Sequence, residues 1–459
     1  VIAAELSGSP TARDQWAYAT LVDLAALLPA GQGVLPAVAV RVFELTDEFE
    51  VGSGEVRIAR SVIDHLAAIA GAETEQEATA RDRHDRVPSS ANPLVQQGNE
   101  RSLPIQQLAH RFGLAADQAA GRQLPRLAPW PDGRRWAAAI THDLDVVSGW
   151  PLFAMLRWLE LARKGKIGRA VRAKLRAIGS VGRAPIQSAI ERMIAIESEA
   201  GVRATWFVLA GEPDVSNWRR GDVTYRLGGR QARAILERLA RAQHEVGLHG
   251  SLRTAHSAEQ LGRERDLVLG VTGAAPMGLR QHFLRMTPGV TQEHAQAAGF
   301  SYDSTYGFAD RSGFRLGAAD LIQCWNAKKS APIDLDEAPL CWMDRTFSKY
   351  QGEENPEAWV DDALALASSC QAAEGMWVGL WHPNTVPALG YPDTWPAFAR
   401  LIQSLVKMDA YIAPLHELVA WRRARRSLRG RMTANGEVTL VTDPGRSSGS
   451  IRPMELPSG

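Results

Sequence analysis

The sequence predicts an α/β protein: a (β/α) barrel preceded by a smaller α+β unit. Three observations carry this. From Trp136 onward, short apolar runs alternate with helical patterns, the rhythm of strands buried on both faces and joined by crossover helices. Polar residues gather where each apolar run stops, which is where active sites sit in such barrels. A length of 459 residues leaves room for a barrel and an accessory unit.

The elements follow in chain order. A helical pattern from Trp16 to Leu28 leads through a Pro/Gly break at Pro29 to Pro36 into an alternating strand, Val38 to Phe43. A helix near Val62 to Ile69, a polar stretch from Glu73 to Arg86 and a helix near Pro104 to Phe112 come next. Pro125, Pro129 and Pro131 then mark a boundary. Buried strands are expected at Ala137 to Thr141, Ala204 to Leu209, Glu245 to His249, Leu279 to Leu284 and Met376 to Trp381. Helices are expected at Ile186 to Ala200, Gln231 to Ala242, Ala258 to Val271, Gln292 to Ala298, Ala358 to Ala372 and Trp395 to Met408. The division is therefore an accessory N-terminal domain over 1–125, a barrel over 135–425 and a mobile tail over 429–459 with one strand near Glu437 to Val441.

Composition excludes several classes. A hydrophobic fraction of 45% and a charged fraction of 22% argue against global disorder. Fifty-two Lys and Arg against 51 Asp and Glu leave a net charge of +1, so no nucleic-acid partner is expected. Cys324, Cys341 and Cys370 form neither a disulfide framework nor a zinc ribbon. No run reaches the roughly 18 apolar residues of a membrane span. A cytoplasmic location is the expectation, although a chain beginning at Val1 leaves a leader open; oligomeric state is not legible. Fourteen Trp against 7 Tyr suit either sugar-ring platforms or core packing.

Four segments carry chemistry. In Thr141-His142-Asp143-Leu144-Asp145, alternation turns Asp143 and Asp145 to one side and His142 to the other. Two such carboxylates repel unless a cation lies between or beside them. Gly247-Leu248-His249-Gly250-Ser251 places a histidine at another strand end, suited to metal ligation, though a lone histidine is more often structural. Read as a strand, Gly278 to Arg285 puts Arg280, His282 and Leu284 on one face, with Arg280 able to pair with Asp143. Trp381-His382-Pro383-Asn384 ends the last strand with a candidate general acid, and Asp303 is a carboxylate available to orient it.

In this order the segments resemble the polysaccharide deacetylase family (NodB-homology, carbohydrate esterase family 4), over about residues 135 to 425. The resemblance implies a distorted β/α barrel that holds a divalent metal, zinc first, and removes N- or O-acetyl groups from a sugar or polysaccharide. It implies Asp143 as general base and Asp145 as metal ligand, with Ala204-Thr205-Trp206-Phe207-Val208 matching the strand after the first helix. It implies Arg280 as the tether of the base, His382 as general acid and Asp303 as its support. Pro339-Leu340-Cys341-Trp342-Met343-Asp344 and the His249 and Arg280 segments are similar to bacterial members with an extra N-terminal domain.

One departure stands out. The usual His-Ser-x-x-His pair becomes His249 followed four residues on by Arg253, a cation that cannot be a ligand. Two substitutes are available for the third ligand: His282 from the next strand, slightly preferred, or His256, about two helical turns past His249 if a helix starts there. Two protein ligands plus waters, or no metal, are the other arrangements left open. The alternatives are a glycan-binding homologue without turnover and a metal-independent amide hydrolase. The basic stretch from Arg157 to Arg183 reads either as a solvated helix face or as a dock for an anionic glycan, lipid headgroup or nucleic acid.

Overall fold

The computed structural model describes residues 4–29, 37–148, 150–178, 185–432 and 438–442. Residues 30–36 of the expected Pro/Gly break, and most of the expected mobile tail, lie outside them.

The N-terminal residues form a four-stranded sheet, order β1-β2-β4-β3, from β1 (Ala4–Leu6), β2 (Val38–Phe43), β3 (Phe49–Gly52) and β4 (Glu55–Ala59). The helix Ala12–Leu24 starts with a capping box: Thr11 accepts from the Asp14 amide, and Asp14 accepts from the Thr11 amide at 3.0 Å. This unit is not packed by itself. Leu66, Ile105 and Phe112 share one hydrophobic core with Tyr306, Ile322 and Trp325. A buried ion pair crosses the same boundary, Arg315 Nη2 lying 2.6 Å from Glu75 Oε2.

The main sheet holds β5 (Ala137–Leu144), β6 (Thr205–Leu209), β7 (Glu245–Gly250), β8 (Gly278–Gln281), β9 (Tyr302–Asp303), β10 (Ile322–Asn326), β11 (Ala331–Glu337), β12 (Trp342–Met343), β13 (Met376–Leu380) and β14 (Tyr411–Ile412). Its order is β10-β11-β9-β8-β7-β6-β5-β13-β12, with β14 alongside the start of β5. Every pairing is parallel except β10 with β11. Strands β5, β6, β8 and β13 are buried along their whole length, which is why they read as continuous apolar runs.

Alternation along β5 sorts two cores. Ala138, Ile140 and Leu144 pack outward against the helices, whereas Ala137 and Ala139 face an inner cluster with Phe207, Val378 and Leu380. The sheet is also curled. Three strand spacings separate β5 from β8, about 14 Å in a flat sheet, farther than an arginine side chain extends. Yet Arg280 on β8 reaches Thr141 Oγ1 at 2.7 Å and Asp143 Oδ1 at 3.1 Å on β5. The sheet does not close: among the described residues, no pairing joins β10 to β12. The fold is thus mixed α/β with a half-barrel sheet.

Two differences from the sequence reading concern strands. The run from Leu279 to Leu284 is strand only to Gln281, because His282–Leu284 breaks into a 3-10 turn with Phe283 and Leu284 at positive φ. The short strands β9 and β12, two residues each, are below what periodicity detects. Near the C-terminus, β15 (Leu428–Met432) pairs antiparallel with β16 (Val438–Thr442).

Replacing Glu75 with Gln leaves the Arg315 guanidinium buried without its charge partner. We expect a loss of about 3 kcal/mol or more in unfolding free energy, read from urea midpoints, with Arg315→Met in the Glu75→Gln background recovering part of it.

Candidate active site

The ends of β5, β7, β8 and β13 converge on one cleft of about 410 Å³. Of the seven residues singled out by the sequence, six meet there: Asp143, Asp145, His249, Arg280, His282 and His382. Asp303 does not.

Asp145 lies one residue past β5, its backbone carbonyl held by the Thr224 hydroxyl at 2.5 Å. Its Oδ1 is 3.4 Å from His249 Nε2 and 3.7 Å from His282 Nε2. Ligand atoms of Asp145, His249 and His282 all lie within 4.8 Å of one another. Burial opposes ionisation of Asp145, but the surrounding imidazoles of His249, His282 and His382 outweigh it and hold its carboxyl well below the usual range.

The donor set fits a divalent cation on three counts. Asp145 Oδ1 is buried and has no hydrogen-bond partner. His249 Nδ1 is 2.9 Å from the Arg280 carbonyl oxygen, which only accepts, so Nδ1 carries the proton and Nε2 presents a lone pair. His282 Nδ1 is 2.9 Å from Asp222 Oδ1, the carboxylate–histidine arrangement that orients metal ligands. Burial alone would lower the His249 pKa, but Asp143 and Asp145 raise it on balance. A cation therefore competes with that proton, as ligation by imidazole requires.

The alternatives for the third ligand separate cleanly. Arg253 is exposed and points to Asp214, 3.0 Å away. His256 sits on a 3-10 turn before the helix Ala258–Thr272, so no helix carries it together with His249. Its Nε2 is 3.3 Å from Asp85. His282 reaches the site because the chain turns sharply after β8. The Phe283 ring stacks on His282 at 4.1 Å and on His84 at 4.7 Å, and its carbonyl accepts from Arg86 Nη1 at 3.0 Å. That bracing holds two consecutive non-glycine residues at φ +60 and +56, a conformation costing on the order of 1 kcal/mol or more each. Gly250 is equally constrained, since a Cβ there would lie 2.5 Å from Thr254 Oγ1.

Beside the cage, Asp143 pairs with Arg280, and Asp143 Oδ2 is 3.6 Å from His249 Nε2. His142 faces away, between the Trp381 carbonyl and Glu197, each at 2.6 Å. Across the cleft, His382 Nδ1 is 2.6 Å from Asp344 Oδ1, with Nε2 directed to Asp145 Oδ2 at 3.9 Å. Burial acts to raise the Asp344 pKa, yet His382 beside it brings the net value below the ordinary one.

The carboxylate on His382 is therefore Asp344 and not Asp303. Asp303 lies on β9 beneath Arg280, where it accepts from Thr305 Oγ1 and from Gln292 Nε2 at 3.1 Å. It is in register with Glu337 of β11, and burial raises both carboxyls, Asp303 to about 6. Asp222 and Asp344 escaped the sequence reading because each acts through a histidine distant in sequence. Asp344 belongs to a segment already similar to the bacterial members, which is the signal that pointed to it. Five tryptophans are packing residues: Trp206, Trp342, Trp359, Trp377 and Trp381 are fully buried in the outer core, and no described tryptophan lines the cleft.

No family model matches the chain, and no curated protein does. Among solved structures, it is similar to a provisionally named polysaccharide deacetylase from Mycobacterium smegmatis, with 22% identity, 66% of this chain and 96% of that one covered, and a TM-score of 0.44. A second, also provisionally named a polysaccharide deacetylase, comes from Pseudomonas aeruginosa PAO1; identity is 16%, coverage 65% and 95%, and the TM-score 0.40. The half-barrel is established by strand order and curl, independently of these overlaps.

Two outcomes are expected. Asp222→Asn removes the carboxylate that orients His282, so divalent-metal affinity should fall about 10- to 100-fold in chelator competition. The folded Asp303 carboxyl titrates above its unfolded value of 3.8, at about 6. The native state thus keeps a proton that the unfolded chain releases, and this group's contribution to stability falls as pH rises through that window. Urea midpoints measured from pH 4 to 7 should show a flatter dependence in Asp303→Asn.

Proposed function

We propose that this chain is a metal-dependent hydrolase of the polysaccharide deacetylase type, removing acetyl groups, N-acetyl first, from a sugar or polysaccharide. The observation that carries the reading is the convergence of three devices on one cleft. These are an arginine-held carboxylate, a three-ligand cage and a carboxylate-held histidine. The sugar rests on the resemblance of the sequence motifs.

A divalent ion held by Asp145, His249 and His282 would supply Lewis-acid activation of the acetyl carbonyl and of water. Asp143 takes the proton of the attacking water as oxygen adds to the acetyl carbon. Arg280 keeps that carboxylate oriented, with one oxygen engaged and Oδ2 free toward the cleft. His382, whose Nδ1 is committed to Asp344, gives a proton from Nε2 to the sugar nitrogen as the C–N bond breaks. The products are acetate and a free amino sugar.

The glycan-binding alternative rests on Arg253; the outward direction of Arg253 and the position of His282 beside Asp145 and His249 favour the hydrolase reading. The test is acetate release from N-acetylated and O-acetylated oligosaccharides. Asp143→Asn and His382→Ala should each lower turnover about 10²- to 10⁴-fold with metal content retained. Undiminished turnover in Asp143→Asn would sink the assignment.

A further inference from the structure

Seven of the fourteen strongly exposed large apolar side chains among the described residues lie between Met155 and Ile178. They belong to two adjoining helices, Trp150–Arg163 and Ile167–Ile178, which pack on one another. On the second helix, Ile167, Val171, Leu175 and Ile178 are 63%, 51%, 63% and 55% exposed. Spacings of four, four and three residues place them within about 80° of arc. The face turned to the protein is a different one, made of Ala170, Ala173 and Ala177. On the first helix, Met155, Leu156 and Leu159 form a second exposed apolar strip. A soluble helix normally buries its largest side chains; on the second helix the small ones are buried and the large ones face outward.

The charge is equally one-sided. Residues 150–178 hold eight Lys and Arg and one acid, Glu160, in a chain whose net charge is only +1. Arg157 and Lys164 pair with Glu160, and Lys166 and Arg169 with Glu354. Arg163, Arg172, Lys174 and Arg176 have no carboxylate partner among the described residues. On the wheel, Lys174 and Arg172 flank the apolar stripe on its two sides. The first helix also supplies Phe153, Arg157 and Leu161 to the wall of the active-site cleft.

We infer that this helix pair is an interfacial dock for an anionic lipid surface, its apolar stripe entering the headgroup region while the flanking cations meet lipid phosphates. Charge complementarity selects this occupant. A second copy of the chain would set two strongly cationic faces against each other, and a nucleic acid would leave the apolar stripe in water. No helix among the described residues is long and apolar enough to cross a membrane, so the contact is peripheral. Docking in this way holds the cleft beside the lipid surface, where an acetylated sugar carried on a lipid would be presented to it. The inference stands apart from the deacetylase reading, because its evidence is the outer face of the helices.

The test is flotation of the full chain with phosphatidylcholine vesicles, with and without phosphatidylglycerol. Partition should require the anionic lipid and weaken with salt. R172Q/K174Q/R176Q should reduce it on the order of a hundredfold, and I167Q/L175Q should reduce it without changing its salt dependence. All five positions are away from the cage, and the two variants fail independently, so a folding fault in one leaves the other to decide. Absence of partition at low salt, or partition indifferent to both variants, would overturn the inference. So would a dimer in light scattering that I167Q/L175Q dissociates, since the stripe would then belong to a second copy.

Discussion

The Arg280 guanidinium is the contact on which the rest of the site depends. It is fully buried, and all three of its nitrogens donate: Nε to the Ser304 carbonyl at 3.0 Å, Nη2 to Ser304 Oγ at 2.9 Å, and Nη1 to Thr141 and Asp143. The Phe207 ring lies 4.5 Å beneath it. A buried cation costs several kcal/mol unless paired and hydrogen-bonded, and the partners of this β8 residue come from β5, β6 and the residue after β9. Satisfying one charge therefore draws the two sides of the sheet together. The same curl carries the end of β5 over β7, which is how Asp145 comes to face His249.

Around that centre, each of the three cleft histidines has its Nδ1 engaged by a neighbour on another element. The carbonyl of Arg280 itself fixes His249, Asp222 fixes His282, and Asp344 fixes His382. The arrangement leaves all three Nε2 atoms turned to the cleft. It also explains how the chain tolerates Arg253 where a second ligand on the His249 loop would be expected. The left-handed turn at Phe283 and Leu284 delivers His282 from the next strand, braced by His84 and Arg86 from the N-terminal unit. The N-terminal residues are thus connected to the candidate cation cage and not only to the back of the barrel.

Much of this was legible in the sequence because the strands are buried on both faces. Continuous apolar runs located β5, β6, β7 and β13, and two-residue alternation put Asp143 and Asp145 on the side opposite His142. What escaped was nonlocal or too short. Two-residue strands such as β9 carry no period, and a turn at positive φ after Gln281 has no glycine to announce it. Asp344 and Asp222 declare themselves only through the histidines they hold. Asp303 misled because it stands where a supporting carboxylate was expected, yet burial beside Glu337 keeps it a structural acid. Of the two readings the tryptophan excess left open, core packing holds for Trp206, Trp342, Trp359, Trp377 and Trp381, which lie buried between sheet and helices.

The central claim is that Asp145, His249 and His282 form one cation cage, with His282 and not His256 completing it. Elemental analysis after reconstitution, on wild type, His282→Ala and His256→Ala, tests it most directly. The account predicts about one divalent ion per chain in wild type and in His256→Ala, and loss of it in His282→Ala. Retention in His282→Ala with loss in His256→Ala, or no ion in any of the three, would contradict it.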